Sequence, residues 1–397
     1  MVIPGLGEAE SPESMNTKRA PLAQAVFMDS GPAAGAASRN DTIECGAAHA
    51  SDGGRLSSRG GTGYFRGRPS RQPQVIALAV LRIIRHPGSG STHPRGAVLA
   101  MGNFDGLHLG HAALIREACE RAHAAGKPAG VLTFEPHPRS VFMPGGEPFR
   151  LTPFRVKERE IARLGVELLF VQHFDLDFSK RSAESFVEEV MLGAVGLTHI
   201  VVGHDCTFGN RRRGTPELLR EMGARHGFGI TVIEPVSGPD TAVYSSTRIR
   251  ELLRDGRPHD AAAQLGRFWE IDGRVMEGDR RGRTIGFPTA NLGLGEYLRP
   301  AFGVYAVRVT GDGPDDPLAG RTVDGVANIG LRPTVGTPEP RLEAHLFDTD
   351  TDLYGRHLRV SLVEFIRPEK KFAGLDALKA QIAADAAKAR DILAQLA

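Results

Sequence analysis

The sequence has 397 residues, of which 41% are hydrophobic, and a formal net charge of +2. This length allows two hydrophobic cores, and the near-neutral charge excludes a protein that binds nucleic acid or anionic membranes through its overall charge. Three cysteines without a CxxC pair exclude a disulfide framework, and no apolar run reaches the ~18 residues of a membrane span, so we expect a cytoplasmic protein with no membrane, nucleic-acid or obligatory protein partner.

The first segment, residues 1–73, is predicted to be a disordered extension. Half of residues 1–70 are Ala, Gly, Ser or Pro, and no helical or strand period is sustained. The segment lacks the basic start and apolar core of a secretory signal, and its acidic residues argue against a transit peptide. A start codon assigned too far upstream would produce the same pattern. We assign no chemistry to this segment.

Residues 74–256 alternate apolar runs with amphipathic segments, which predicts a Rossmann-like α/β domain. Helices between the runs have start signals at Thr152-Pro153 and Thr215-Pro216, each a capping residue followed by proline. Strands separated by helices form a parallel sheet that binds its ligand at the carboxyl ends of the strands. The run 75–84 predicts an edge strand or a helix. The other predicted strands are 97–100, 130–134, 168–171, 199–202 and 229–233.

Residues 101–111 follow the first of these predicted strands and contain the main candidate site. Gly106 and Gly110 permit a sharp turn before an amphipathic helix that is predicted to begin near His111. The free N–H groups and the dipole of a helix start attract anions. His108 and His111 are three residues apart and can face the same space. The pattern therefore favours a nucleotide phosphate over a junction without a ligand.

The same histidines admit a metal site as an alternative. Zinc requires three or four ligands, and the only candidates near His108 and His111 are Glu135 and His137 in a second motif. This set is too small to favour a metal over a phosphate.

Two later stretches are expected to converge on this site. Residues 203–214 follow another strand and contain the run Arg211–Arg213, which either screens a polyphosphate or forms a solvated loop. Residues 244–253 combine Ser and Thr, which cap helices, with a buried face formed by Ile249, Leu252 and Leu253. Arg248 falls in the first turn of that helix, where a basic residue opposes the helix dipole. An anionic ligand would relieve this conflict.

Beyond residue 256 the pattern changes to glycine-punctuated β-structure. Residues 257–266 predict a short connecting helix, which places the domain boundary near Gly266. Five predicted strands then indicate a small antiparallel barrel, and residues 374–396 indicate one closing helix. The predicted strands are 268–276, 303–310, 322–328, 342–347 and 358–366.

The predicted barrel has polar motifs of its own. Residues 278–292 are basic and rich in glycine, and Thr289 and Asn291 offer neutral oxygens of the kind that Mg²⁺ accepts, although a loop without ligand fits equally well. Glu343 and His345 alternate with apolar residues and share one face of a strand. On the inner face of the barrel, Glu343 would be costly unless it served as a general base. An outward, solvated Glu343 is the ordinary alternative.

Taken together, these motifs resemble the bifunctional bacterial riboflavin kinase/FMN adenylyltransferase family over about Val98 to Leu396. The resemblance implies a Rossmann-like nucleotidyltransferase domain with a parallel sheet at 74–256, a linker at 257–266, and at 267–397 a riboflavin kinase-like antiparallel β-barrel with a C-terminal helix. It rests on the motifs at 102–111, 245–250, 282–291, 325–334, 343–348 and 352–355.

The resemblance implies two ATP-dependent reactions. The carboxyl-terminal domain would phosphorylate riboflavin to FMN, and the amino-terminal domain would transfer an adenylyl group from ATP to FMN, giving FAD and pyrophosphate. Two alternatives are a different nucleotidyltransferase that carries an unrelated barrel, and a flavin- or nucleotide-binding regulator without catalytic activity. Intact motifs in both halves weigh against each alternative.

The resemblance also implies roles for individual residues. His108 and His111 would contact the ATP phosphates, Glu343 would be the catalytic base of the kinase, and Thr289 and Asn291 would bind Mg²⁺ with ATP. The other positions that would bind nucleotide or flavin are Gly102, Phe104, Asp105, Gly106, Gly110, Asp205, Ser245, Ser246, Thr247, Arg248, Gly282, Gly286 and Asn328.

Overall fold

The structure is a computed structural model. The predicted extension 1–73 lies outside the residues it describes, as does the whole of the basic loop 278–285 with Gly282. No helix in the described part of the chain is both long enough and apolar enough to cross a membrane. The described residues are 80–88, 92–238, 241–277, 286–313, 316–332, 339–349 and 351–396.

The amino-terminal half is built on a six-stranded parallel sheet with the order β1-β4-β3-β2-β5-β6. Its central strands are continuous apolar runs because helices cover both faces of a parallel sheet. All five predicted strands are confirmed, and the run 75–84 supplies the edge strand β1. The strands are β1 Arg82–Arg85, β2 Val98–Met101, β3 Ala129–Glu135, β4 Leu168–His173, β5 His199–Gly203 and β6 Gly229–Ile233.

The helices of this half differ from the predictions at two starts. Helix α1 begins at Leu109, with His108 as its capping residue, and therefore before the predicted start near His111. Thr215 caps α5 as predicted, whereas the cap of α3 is Pro153. The helices are α1 Leu109–Ala124, α2 Pro138–Phe142, α3 Phe154–Ala162, α4 Ala183–Ser185 with the adjoining π-helix Phe186–Val195, α5 Pro216–His226, α6 Ser246–Arg254 and α7 Pro258–Leu265.

The strand order places a crevice at the carboxyl end of β2. The chain runs from β2 outward through β3 and β4 on one side, and the next strand, β5, lies on the other side of β2. In open α/β sheets a ligand binds where the strand order reverses in this way. Residues 102–111 leave β2 at this point. The fold therefore brings the candidate phosphate motif to the expected edge of the sheet.

The carboxyl-terminal half is a six-stranded antiparallel barrel with the order β7-β12-β9-β10-β11-β8. A bridge between Met276 and Asn291 brings β8 back to the chain that follows β7 and nearly closes the barrel. The predicted barrel is confirmed, but β8 was predicted as a loop. The strands are β7 Trp269–Arg274, β8 Ala290–Gly293, β9 Gly303–Gly311, β10 Thr322–Arg332, β11 Glu339–Leu346 and β12 His357–Pro368.

The closing helix α8, Leu375–Ala394, packs on the outside of the barrel. Its buried residues Ala389 and Leu393 join an apolar cluster with Val304, Val326 and Val363 from three strands. The predicted C-terminal helix is confirmed, and it covers an outer face of the barrel that would otherwise be exposed.

The two halves share one hydrophobic core. Leu151, Ile249 and Leu265 from the amino-terminal half pack in the same cluster as Trp269 and Ile271 from the barrel. The indole Nε1 of Trp269 donates to the backbone oxygen of Leu151 at 2.8 Å. The predicted connecting helix is confirmed as α7, but because its residues are part of this core, it fixes the two halves together.

Candidate active sites

The turn after β2 has an unusual backbone. Phe104, Gly106 and Leu107 have φ angles of 51°, 86° and 47°, which lie in the left-handed region. A Cβ on Gly106 would come within 2.9 Å of Leu151 Cδ1, so the position requires glycine. Non-glycine residues in this region cost ~1–3 kcal/mol each and persist where the surrounding structure holds them. The contacts that hold the turn are therefore part of the site.

Asp105 is the centre of those contacts. Its carboxylate is fully buried and accepts hydrogen bonds from the backbone nitrogens of Leu151 at 3.0 Å and Thr152 at 2.9 Å. Arg250 Nη2 donates to it at 2.7 Å. Burial by itself would raise the pKa of Asp105, but Arg250 and Arg150 hold that pKa well below its usual range. The carboxylate has no exposed surface in this structure and holds the turn through these contacts, while the expected contact of Asp105 with ligand stays a prediction.

Thr152 uses its hydroxyl in the same cluster. Its Oγ1 accepts from the backbone nitrogen of Gly106 at 2.9 Å. This contact explains why Thr152 does not cap α3, since its side chain faces the turn.

A second group of buried charged side chains lies beside Asp105. Glu135, at the end of β3, pairs with Arg150 at 2.8 Å and with the fully buried Lys157 at 2.7 Å. Burial would raise the pKa of Glu135, but Lys157 and Arg150 lower it to about 2. Arg150 also contacts Glu296 of the barrel half at 3.4 Å. This network is not evident from the sequence, because no motif joins its members and Glu296 is far from the others in the chain.

The two histidines lie at the start of α1 as predicted. His108 Nδ1 accepts from the backbone nitrogen of His111 at 3.3 Å, and the two rings stack with their centroids 3.7 Å apart. An accepting Nδ1 places the proton of a neutral imidazole on Nε2, so His108 presents a donor there. A Cβ on Gly110 would lie 3.2 Å from the His108 ring, which explains the glycine.

Phe104 and Gly102 pack beneath the histidines, on the side of the turn that faces the core. Phe104 is 1% exposed, and its ring packs edge-on against His111 with centroids 5.3 Å apart. A Cβ on Gly102 would lie 3.1 Å from the Phe104 ring. The Phe104 side chain is therefore a packing residue in this structure, and its expected contact with ligand stays a prediction.

Helix α6 is joined to the same turn. Ser245 caps the helix by accepting from the backbone nitrogen of Arg248 at 3.2 Å. The buried Ser246 Oγ donates to the backbone oxygen of Asp105 at 2.7 Å. Thr247 and Arg248 are exposed in the first turn. The structure thus joins the start of α6, which carries Thr247 and Arg248, to the turn that leads into the histidines of α1, and two helix starts near one turn are suited to a polyphosphate.

The loop after β5 carries the other amino-terminal candidates. The side chain of Asp205 is 44% exposed, and the nearest nitrogen of His204 lies 4.0 Å from it. Arg211 and Arg212 have positive φ angles of 55° and 59°, and Arg211 is exposed. The loop is closed by a bridge between Phe208 and Gly214. Contact of these residues with ligand stays a prediction.

The alternative of a metal site at the histidines is not supported. Glu135 is engaged by Lys157 and Arg150, and His137 Nδ1 accepts from the backbone nitrogen of Arg139 at 3.1 Å. Among the residues that the structure describes, one group of three metal-ligand atoms lies close together, and it belongs to Asp272, Asp312 and His357. Arginines of α3 already pair with that group.

The barrel candidates lie side by side on three neighbouring strands. Glu343 of β11 is in register with Asn291 of β8 and with Asn328 of β10. Residues in register have Cβ atoms about 4.5–5.5 Å apart and share a face. Leu342 and Ala344 point into the core, so Glu343 lies on the outer face. The inner-face alternative is wrong, although Glu343 is only partly exposed and Asn291 is buried.

Several contacts fix this outer face. Asn291 Nδ2 donates to the backbone oxygen of Thr289 at 3.4 Å, which turns Asn291 Oδ1 away from that contact. Asn328 Nδ2 donates to Glu369 at 3.3 Å. The imidazole of His345 hydrogen-bonds to the backbone oxygen of Pro288 at 2.8 Å and ties β11 to the segment before Thr289.

The donor set of the barrel site fits a hard cation. A hydroxyl at Thr289, an amide oxygen at Asn291 and a neighbouring carboxylate at Glu343 are oxygen ligands, and Mg²⁺ binds few protein oxygens together with substrate phosphates. Gly286, with φ of 89°, is exposed and has open space around it. Enzymes that transfer groups from ATP use a divalent cation in this way.

Comparisons with known proteins match both halves. The FAD synthetase family model matches residues 90–248, and the riboflavin kinase family model matches residues 265–393. The Escherichia coli (strain K12) bifunctional riboflavin kinase/FMN adenylyltransferase is 41% identical over 312 residues, covering 78% of this chain and 97% of that protein. The chain belongs to the bifunctional riboflavin kinase/FMN adenylyltransferase family. The Bacillus subtilis (strain 168) member is 38% identical over 294 residues, covering 73% of this chain and 90% of that protein.

A solved structure shares the fold of this chain. A crystal structure described as a macrolide-efflux protein from Streptococcus pneumoniae superposes with a TM-score of 0.67 at 32% identity. It covers 76% of this chain and 97% of its own. In this family member, the parallel-sheet half carries FAD synthetase chemistry and the barrel half carries riboflavin kinase chemistry, in that order along the chain.

Proposed function

We propose that each half performs its reaction at the residues described above, with riboflavin, FMN and ATP as substrates. The observation that carries this proposal is the strand register that sets Glu343 between Asn291 and Asn328 on one face of the barrel. The register groups a candidate base and oxygen ligands on adjacent rigid strands. A glutamate that was only a solvated surface residue would not require such neighbours.

In the barrel, Glu343 accepts the proton of the ribityl 5′-hydroxyl of riboflavin as that oxygen attacks the γ-phosphate of ATP. The bond from the γ-phosphorus to the bridging oxygen breaks, so ADP leaves and FMN forms. Thr289 and Asn291 would hold Mg²⁺, which neutralises phosphate charge when bound. Asn328 and Gly286 border the substrates, and Gly282 belongs to the same motif.

In the parallel-sheet half, a phosphate oxygen of FMN attacks the α-phosphate of ATP, and the bond to pyrophosphate breaks. The phosphate is already a nucleophile near neutral pH, so this step needs no strong base. His108, His111 and Arg248 donate to the charge that develops on the α-phosphate and the pyrophosphate. Ser245 and Thr247, with the backbone N–H groups of α6, complete the anion site, and Asp205 borders it.

We also propose functional boundaries for the chain. The adenylyltransferase domain comprises 74–256, the linker 257–266 and the kinase domain 267–397, with an extension at 1–73. The two described thiols, Cys119 and Cys206, are free, which favours a reducing compartment, and we assign the enzyme to the cytoplasm.

The test is a two-product assay. Purified protein given riboflavin, ATP and MgCl₂ should form FMN first and FAD later, separated by chromatography. Absence of FMN from riboflavin would overturn the kinase assignment. Absence of FAD when FMN is supplied directly would overturn the adenylyl-transfer assignment, and omission of Mg²⁺ with a chelator present should stop FMN formation.

A further inference from the structure

Arg267, two residues after the end of α7, reaches back to the adenylyl-transfer site. Its Nη2 donates to the backbone oxygen of Gly106 at 2.8 Å, and its Nη1 donates to the backbone oxygen of Leu107 at 3.2 Å. The side chain is 20% exposed. By the boundaries proposed above, Arg267 is the first residue of the kinase half. One residue of the barrel half therefore contacts the turn that leads into His108.

The two carbonyls that Arg267 holds belong to residues in the left-handed backbone region. Gly106 and Leu107 have φ angles of 86° and 47°. In this conformation the Leu107 side chain has a steric cost that glycine avoids. The planar guanidinium offers two parallel donors, which suits two neighbouring carbonyls better than the single ammonium of lysine does. These hydrogen bonds stabilise the turn in the conformation that places His108 at the cap of α1.

An ion pair also holds the Arg267 guanidinium. Glu160 Oε2 of α3 lies 3.4 Å from Arg267 Nε. Burial lowers the pKa of Arg267, but a guanidinium stays protonated in proteins, so its donors are always present. The preceding Gly266 has φ of 72°, and a Cβ there would lie 2.7 Å from Leu109 Cδ2 at the start of α1. The α7–β7 junction thus packs directly against both the turn and the helix start.

We propose that Arg267 is a positioning residue for adenylyl transfer, which holds the turn at Gly106 and Leu107 so that His108 and His111 face the α-phosphate of ATP. This inference rests on the proposed role of the two histidines. It makes the amino-terminal site dependent on a residue supplied by the kinase half. Arg267 touches no substrate and acts through the backbone.

The test uses the two activities of one chain as internal references. Arg267→Met should lower kcat for FMN adenylylation by about 10- to 100-fold, because small misplacements of catalytic groups have effects of this size. Arg267→Lys keeps the positive charge but offers a single ammonium group in place of the guanidinium, so the loss of FMN adenylylation should be intermediate. The rate of riboflavin phosphorylation by the same variants should stay within about twofold, since Arg267 does not contact the Asn291 and Glu343 face.

Arg155→Gln is the matched control. Arg155 of α3 also joins the two halves, through ion pairs with Asp272 and Asp312, but it does not contact the turn. Both activities of this variant should stay near those of the unaltered protein. A loss of adenylylation as large as in Arg267→Lys would mean that general docking of the halves matters, and would overturn the positioning role.

Other outcomes separate this inference from the function on which it rests. Normal adenylylation by Arg267→Met would overturn the inference alone, whereas failure of the unaltered protein to form FAD from FMN would overturn the function. Equal loss of both activities in Arg267→Lys would show general damage and would also contradict the inference. Thermal melting of Arg267→Lys within a few degrees of the unaltered protein would assign its loss to positioning.

Discussion

The two sites of this molecule are built in different ways. The proposed adenylyl-transfer site lies on a strained turn that is held by Ser246 of α6, by Arg267 at the α7–β7 junction, and by backbone nitrogens and the Thr152 hydroxyl of the 150–152 segment. The proposed kinase site lies on three adjacent strands whose backbone ladder sets its residues in register. A ladder is fixed by local hydrogen bonds, whereas a strained turn depends on distant partners. Changes far from the chemistry should therefore affect the first site more than the second.

The largest expected effect is at the kinase base. Glu343→Gln removes the proton acceptor and preserves the shape, so FMN formation should fall by about 10²- to 10⁴-fold. Adenylylation of supplied FMN should be unchanged because the proposed adenylyl-transfer site lies in the other half of the chain. Initial rates of both reactions, measured on one preparation, check the result, and an unaffected kinase rate would remove Glu343 from the mechanism.

The next effect is at the histidines. His108→Ala combined with His111→Ala should lower FMN adenylylation by about 10³-fold, since removal of one preorganised donor commonly costs about 10²- to 10³-fold. Riboflavin phosphorylation should continue and FMN should accumulate. A double variant that still makes FAD at the normal rate would refute the assignment of the turn as the phosphate site.

The buried charge network gives a prediction about stability. Glu135→Gln removes the carboxylate that pairs with the buried Lys157 and one of those that pair with the buried Arg150, and should lower the free energy of unfolding by about 3–5 kcal/mol at pH 7. Denaturant titration of both proteins at equal ionic strength measures the difference. Glu217→Gln is the control, because Glu217 pairs with Arg220 on the surface in water, and its loss should cost much less free energy of unfolding than the loss of Glu135.

The same network predicts the direction of acid sensitivity. The pKa of Glu135 is about 2 in the folded protein, against an ordinary value of 4.5, so its contribution is complete above pH 4.5. That contribution is lost as the pH falls from about 4.5 towards 2, and amounts to about 3 kcal/mol. Glu135→Gln should therefore show a weaker fall in stability across this window. Stability curves that fall in parallel with pH for the two proteins would contradict the lowered pKa of Glu135.

The smallest expected effect is at the edge of the kinase site. Asn328→Ala removes a side chain that borders Glu343 and donates to Glu369, and should raise the KM for riboflavin or ATP by a few-fold, about 1 kcal/mol. Adenylylation should not change. A KM change in the adenylylation reaction would show that the sites are less separate than the fold indicates.

Much of the fold was predictable because apolar period and turn residues are local signals. Strands β2 to β6 of the sheet, the barrel and helix α8 follow from such patterns. Strand β8 was missed because it has only four residues and follows a glycine-rich motif that suggested a phosphate loop. Thr152 was assigned as a helix cap because its local sequence fits one, yet its hydroxyl serves a residue 46 positions earlier.

The candidate sites were predictable only in part. The histidines, the Ser245 cap and the Glu343 group belong to short motifs that sequence displays directly. The supports of the turn do not, because Arg150 and Arg267 act on residues 45 or more positions away and carry no periodic signal. The outward direction of Glu343 depended on which face of β11 meets the core, and alternation alone leaves two choices.

The central claim is that one chain makes FMN in its barrel and consumes it at the turn after β2. The most direct measurement is chromatography of products from riboflavin, ATP and MgCl₂ with the two variants in parallel. The histidine double variant should accumulate FMN without FAD, and Glu343→Gln should form neither from riboflavin but should form FAD once FMN is added. FAD from the histidine variant, or FMN from Glu343→Gln at the unaltered rate, would contradict the claim.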